Sequence, residues 1–259
     1  MSFISQRGAT GPLPLRANGT FQSSTDANLA TLVGTRWDLS DGREVILVST
    51  AAATTVAPGY LYQDAAIVAN HQDLVVSAFS AYSGTTGKPA TVTVTLGGTA
   101  ATLNQYQGGF AIVNSGTGIG QTLRVSTNTA QTSTVGSVVV TLEDAPNTAL
   151  VAGSSKVSLI PAHGANVIVN PTTPTNIPVG IALYAIAASS YGFLVSKGLT
   201  AALSDVSVAT VGKAIAASVT TAGATTLATA TVGSVTSTVI GNTAQTAVSA
   251  ETRAVFVNL

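Results

Sequence analysis

Hydrophobic residues in this chain recur mostly with a period of two. The cleanest run, 90–96 (ATVTVTL), puts Val92, Val94 and Leu96 on one face and Thr91, Thr93 and Thr95 on the other. Successive side chains of a strand point to opposite faces, so the run predicts a strand with one packed face and one wet face. Shorter apolar runs follow the same rule at 44–49 (EVILVS), 73–82, 110–114, 121–126, 137–142, 156–160 and 166–169, divided by Gly, Asn, Asp or Pro. Further candidates lie at 206–208, 214–219, 225–232, 234–240 and 253–257. The Ala-rich segments among these could be read as helical, but their dense Thr and Val favour strand, because β-branched side chains lose rotamer freedom in a helix. Short strands in close succession leave little room for crossover helices. The pattern therefore predicts an all-β chain built of antiparallel β-sandwich or β-barrel modules.

The longest uncharged apolar stretch is 176–195, NIPVGIALYAIAASSYGFLV. With period two, Val179, Ile181 and Leu183 share one face and Gly180, Ala182 and Tyr184 the other, before Ser189-Ser190-Tyr191-Gly192 breaks the run. This reads as strand, turn and return strand. A membrane helix is the rival reading at this length, but Pro178, Gly180, Gly192 and the two serines interrupt it, and only Lys197 lies near an end.

Outside the strands the chain is less periodic. Residues 1–35 carry Gly8, Gly11, Pro12, Pro14 and Gly19 with no sustained apolar period, and are expected to form an extended N-terminal arm that orders against a partner. Pro171, Pro174 and Pro178 stiffen 170–178, which sets the expected boundary between an N-terminal β domain, 36–170, and a C-terminal β-barrel-like domain, 171–259. The N-terminus lacks the apolar core of a secretory signal, so the chain is expected to be made and used without secretory export, and Asn18-Gly19-Thr20 is read as a turn rather than a glycosylation site.

Composition narrows the function more than the fold. Charged residues are 8% of the chain, hydrophobic residues 46% and aromatics 5%, so the apolar content is largely Ala and Val, accompanied by many hydroxyl side chains. The net charge is zero, which supplies no basic field for nucleic acid, and with no cysteine there is neither a disulfide framework nor a thiolate site. Candidate chemistry is thin. His71 and His163 stand far apart, and neither sits beside acidic residues at metal-ligand spacing. Serine is abundant, but no G-x-S-x-G elbow or S-x-x-K pair occurs. Gly116-Thr117-Gly118-Ile119-Gly120 misses the phosphate-loop register and precedes an expected strand rather than a helix. Asp38, Asp41 and Gly42 lack the remaining ligands of a calcium loop, and Glu143-Asp144 reads as a strand end entering a turn. No catalytic, cofactor-binding or metal-binding residue is assigned.

The order of short motifs is more informative than any one of them. Gly34-Thr35-Arg36 with Asp41-Gly42-Arg43-Glu44 is followed by Ala69-Asn70-His71, ATLNQY at 101–106, Val113-Asn114 through Gly118, Thr141-Leu142-Glu143-Asp144 and Ser155-Lys156-Val157. Pro178-Val179-Gly180-Ile181-Ala182 and Tyr191-Gly192-Phe193 complete the series. Over roughly 32–200 this resembles the capsid decoration, or cement, proteins of tailed bacteriophages. Phe193 stands where that pattern has tryptophan, and the C-terminal third is richer in Ala and Thr. The resemblance implies a non-enzymatic structural virion protein on the outer capsid surface, made in the host cytoplasm, without a cofactor. The implied partners are the major capsid protein and copies of itself, as a homotrimer with a dimer as the alternative, and neither nucleic acid nor membrane. The second reading is a glycan-binding β module of a head fibre or tail, for which Trp37, Tyr60, Tyr62, Tyr82 and Tyr106 are the candidate stacking residues.

Overall fold

The structure, a computed structural model, describes residues 4–6, 21–132, 136–228, 230–231, 234–235 and 238–259. The chain starts one unit, completes another, and returns to the first. Unit 1 comprises Met1–Ala66 and His163–Leu259, and unit 2 is Ile67–Ala162. The opening pass lays down β1 (Ile4–Gln6), β2 (Arg36–Leu39), β3 (Glu44–Ser49) and β4 (Leu61–Gln63). The second unit holds β5 (Leu74–Ser80), β6 (Thr91–Thr95), β7 (Phe110–Ser115), β8 (Thr122–Asn128), β9 (Ser137–Leu142) and β10 (Lys156–Ile160). The return supplies β11 (Ile168–Val169), β12 (Pro178–Ala182), β13 (Tyr191–Leu203), β14 (Ala214–Ala217), β15 (Thr225–Leu227), β16 (Ala230–Thr231), β17 (Ser234–Val235), β18 (Val239–Thr243) and β19 (Thr252–Asn258). The all-β expectation holds.

Unit 2 is a closed antiparallel barrel in the order β10-β5-β6-β9-β8-β7. Its interior is written in the alternation: Val92 and Val94 of β6 sit opposite Val140 and Val138 of β9, all without exposure, while Thr91 and Thr93 face outward and remain partly accessible. A barrel of so few strands has a narrow bore that side chains must fill, and here valine and leucine do most of it, with Tyr106 the one fully buried aromatic of the cluster. Closure also leaves no unpaired edge.

Unit 1 is a curled, open sheet of eleven strands, its main path running β1-β2-β3-β13-β19-β18-β14-β15. The spine is the 13-residue β13. Its first half pairs with β3 from Tyr191↔Ser49 to Lys197↔Glu44, and its second half pairs with β19 from Lys197↔Asn258 to Leu203↔Thr252. Gly198 sits at that handover with φ +104, and a Cβ there would stand 3.0 Å from the Arg43 Cα. Only glycine satisfies both the backbone angle and the close approach.

The stretch 176–195 forms the antiparallel pair β12–β13, with Ile181 opposite Val195 and Ala182 opposite Leu194. The reversal occupies 183–190, earlier than the expected Ser189–Gly192 break, and β13 runs on to Leu203. The faces also depart from simple alternation: Val179, Gly180, Ile181 and Ala182 are all buried. β12 pairs with both β4 and β13, and cores cover both of its faces. Val179 and Ala182 pack with Ile46, Tyr62 and Leu194, whereas Ile181 packs with Leu61, Ile215, Ile240 and Val257.

Two segment boundaries differ from the sequence reading. The proline-stiffened 170–178 joins β11 to β12, and both pair with β4 inside unit 1, so the chain divides instead at 66/67 and 162/163. Proline density there reports a rigid turn between strands that share a neighbour, not a thinning of contacts. The second correction concerns the arm, 1–35. Ile4–Gln6 is an edge strand on β2, in the register Ile4↔Leu39 to Gln6↔Trp37. Residues 27–32 form a 3-10 helix capped by Asp26, whose carboxylate accepts from the Asn28 amide at 2.9 Å, and Leu29 is buried. Phe21 stacks on Tyr184 and meets the edge of Phe193, and Phe21, Leu29 and Leu32 pack with a core cluster of unit 1. The rest of the expected arm, 1–3 and 7–20, lies outside the described residues.

Candidate functional site

Both histidines serve the fold. His71 is fully buried at the end of a short 3-10 helix, where the Tyr106 hydroxyl donates to its Nδ1 and its Nε2 donates to the Thr99 carbonyl at 2.9 Å. The Thr99 carbonyl can only accept, so Nε2 is the donor of that bond. Buried Asn128 continues the bracket, accepting from the Tyr106 amide at 2.8 Å and donating to the Thr102 and Thr129 carbonyls. Burial pushes the Tyr106 phenol well above its ordinary range. In unit 1, His163 pairs through Nδ1 with Asp64 at 2.8 Å, and the other Asp64 oxygen accepts from the Gly164 amide at 2.7 Å.

The acidic pairs are likewise accounted for locally. Asp41 lies in the β2–β3 turn and accepts from the Arg43 amide and Nε, an interaction that holds its carboxyl below the usual range despite some desolvation. Glu143, just beyond β9, pairs with Arg124 at 2.9 Å, while Asp144 is exposed in the following turn. Among the described residues no three His, Asp or Glu side chains come together as a metal site would require. Gly116, Gly118 and Gly120 all have positive φ in the β7–β8 loop, and the strand β8 follows them.

The proposed stacking aromatics do not form a surface platform. Trp37, Tyr62 and Tyr106 are buried at 0%, 0% and 1% exposure, Tyr60 packs against the core of unit 1, and Tyr82 is exposed in the barrel unit. Trp37 instead meets Phe193 edge-on at a centroid distance of 5.1 Å. Sequence reasoning took the largest aromatics as surface candidates, whereas an aromatic-poor chain uses them to fill the widest parts of its core.

What unit 1 does present is an apolar sheet face. The outward positions of β13 are Lys197, Leu199 and Ala201, and those of β19 are Thr252, Ala254, Phe256 and Asn258. Leu199 and Phe256 are direct cross-strand partners, 53% and 49% exposed, and Lys197 is the single charge among these seven positions. Val239 and Asn242 are exposed on the neighbouring β18. The backbone beneath is ordered by pairing on both sides of β19. Neither Leu199 nor Phe256 was singled out from the sequence. In the sequence these stretches, 198–202 and 253–257, read GLTAA and RAVFV, apolar at most positions of both faces, so the sequence does not say which face is covered.

No protein-family model, curated protein or solved structure matches the chain.

Proposed function

We propose that this chain is a structural virion protein that binds the outer surface of a tailed-phage capsid and stabilises contacts between major capsid subunits, acting as a homotrimer. The observation that carries this reading is the half-exposed Leu199–Phe256 pair on a rigid, nearly uncharged sheet face. Two large apolar side chains held side by side in water lose little conformational freedom on docking and gain from the area they remove from solvent. The order of sequence motifs, which resembles that of decoration proteins, supports the class of partner. Several copies linked to one another make the later contacts effectively intramolecular, which raises avidity about 10²–10⁴-fold without any strong single contact.

Particles purified with and without the protein provide the test. The reading expects particles carrying it to rupture at a higher temperature, and expects the protein to stay attached through a moderate salt wash, because apolar contacts are not screened as ion pairs are. Equal rupture temperatures would remove the stabilising role, and absence of the protein from purified particles would remove the virion assignment altogether.

A further inference from the structure

A second surface feature lies within the barrel unit, and the inference drawn from it does not depend on the capsid reading. Phe110 on β7 and Arg124 on β8 are direct cross-strand partners on the outer wall. Together with Ile119, Thr122, Asp144 and Asn147 they line an open cleft of about 690 Å³. This volume is within the range of small-molecule sites, about 300–1,000 Å³.

The walls of the cleft are tied to one another. Gln121 donates to the Gly118 carbonyl at 3.1 Å and to the Thr148 carbonyl at 2.9 Å, and its side-chain oxygen accepts from the Thr148 amide at 3.1 Å. One side chain thus fastens the glycine-bearing β7–β8 loop to the turn that carries Asp144 and Asn147. Within that loop Gly120 lines the cleft, its φ of +86 turning the chain into β8. Arg124 is oriented by its Nε bond to Glu143 at 2.9 Å.

The chemistry of the lining selects among ligands. The charges in the lining, Arg124 and Asp144, sum to zero, and Arg124 is already paired with Glu143 beside the cleft at 2.9 Å, so the lining supplies no excess positive charge to draw phosphate or carboxylate groups. Phe110, 37% exposed, offers part of a ring to C–H surface, while the carboxylate, amide and guanidinium around it supply acceptors and donors in close proximity. A neutral sugar ring presents that same combination, an apolar C–H face bordered by vicinal hydroxyls that each donate and accept.

We propose that this cleft binds a neutral saccharide, with Phe110 packing against the pyranose face, Asp144 and Asn147 bonding adjacent hydroxyls, and Arg124 donating to a hydroxyl or ring oxygen. The test applies the full chain, free of particles, to an array of neutral and anionic glycans. The strongest neutral binder is then titrated while backbone amide resonances are followed. The expected result is saturable shifts centred on 119–124 and 144–148, with Asp144→Asn weakening binding about tenfold, as loss of one charge-assisted bond would, and Phe110→Ala weakening it by about the same factor through loss of ring packing. Asn147→Ala gives a third variant at an exposed turn position, so the outcome does not hang on how Phe110→Ala folds. No binding to any neutral glycan, binding to anionic glycans alone, or affinity unchanged in Asp144→Asn and Asn147→Ala would each overturn the proposal. Because no capsid is present, failure here leaves the virion reading untouched.

Discussion

The barrel and the open sheet solve the same problem in different ways. In the barrel, a single cluster of buried residues, dominated by valine and leucine, fills the bore, and each strand contributes one face to it. The open sheet has three clusters, because it curls so that β12 and the first half of β13 are covered on both faces and different stretches of one strand serve different cores. Polar groups follow the same division. The barrel's buried polar bracket of His71, Tyr106 and Asn128 is hydrogen-bonded within itself, whereas unit 1 buries Arg253 at 1% exposure. Burial lowers the pKa of Arg253, and the charge of Asp205 acts against that shift. A closed barrel needs only one consistent alternation, but an open sheet has to cover its second face with whatever the rest of the chain brings.

The largest expected effect breaks the comparison at the aromatic cluster of unit 1. Phe193 is fully buried against Trp37 and Phe21, so Phe193→Ala should cost about 3–5 kcal/mol, read from denaturant unfolding. Leu142→Ala in the barrel should cost about 2–5 kcal/mol. Amide exchange sharpens the contrast: the first change should release protection in β3 and β13, the second in β6, β8 and β9. A stability change near zero for Phe193→Ala would show that its ring does not hold those strands together.

Smaller effects test the polar brackets. Tyr106→Phe removes the donor to His71 and leaves a buried ring nitrogen unpaired, a loss of about 1–3 kcal/mol. In unit 1, Tyr184→Phe removes the hydroxyl that accepts from the Phe193 amide at 2.7 Å and donates to the Gln22 carbonyl at 3.2 Å. A loss in the same range is expected, together with faster amide exchange at Phe193. If either variant unfolds at the wild-type denaturant midpoint, its bracket contributes nothing to stability.

The smallest effect is a pH dependence. Burial alone would raise the Glu44 pKa, but bonds from Arg36 at 2.6 Å and Ser196 at 3.0 Å outweigh it, and the net shift is downward from the ordinary 4.5. A carboxylate with a lowered folded pKa stabilises the fold fully above its unfolded value and loses that contribution as pH falls through the folded value. Stability of the wild type should therefore fall more steeply below pH 4.5 than that of Glu44→Gln, and parallel acid-unfolding curves would contradict the assignment.

These differences also explain what could be read in advance. The runs at 44–49, 137–142 and 156–160 coincide with β3, β9 and β10, because each has a well-marked apolar stretch ended by turn residues. β2 and β4 were missed: each is short, and what makes each a strand is its neighbour rather than its own pattern. The insertion of the barrel at 67–162 was equally hidden, since nothing local in a sequence records that 1–66 and 163–259 share a sheet. The same holds for both surface features. The Leu199–Phe256 pair joins residues far apart in the chain and the Phe110–Arg124 pair spans the β7–β8 hairpin, and in both cases it is the strand register that sets the two side chains opposite each other.

The central claim is that the apolar face of unit 1 is what the chain uses to attach. Phe256→Ser with Leu199→Ser replaces two half-exposed side chains that belong to none of the three core clusters of unit 1, so the fold should remain. The most direct measurement is the copy number of this double variant on purified capsids, relative to wild type added at the same concentration. The account predicts a loss of most of the bound copies, with thermal unfolding of the free protein close to wild type. Full occupancy by a correctly folded double variant would contradict it.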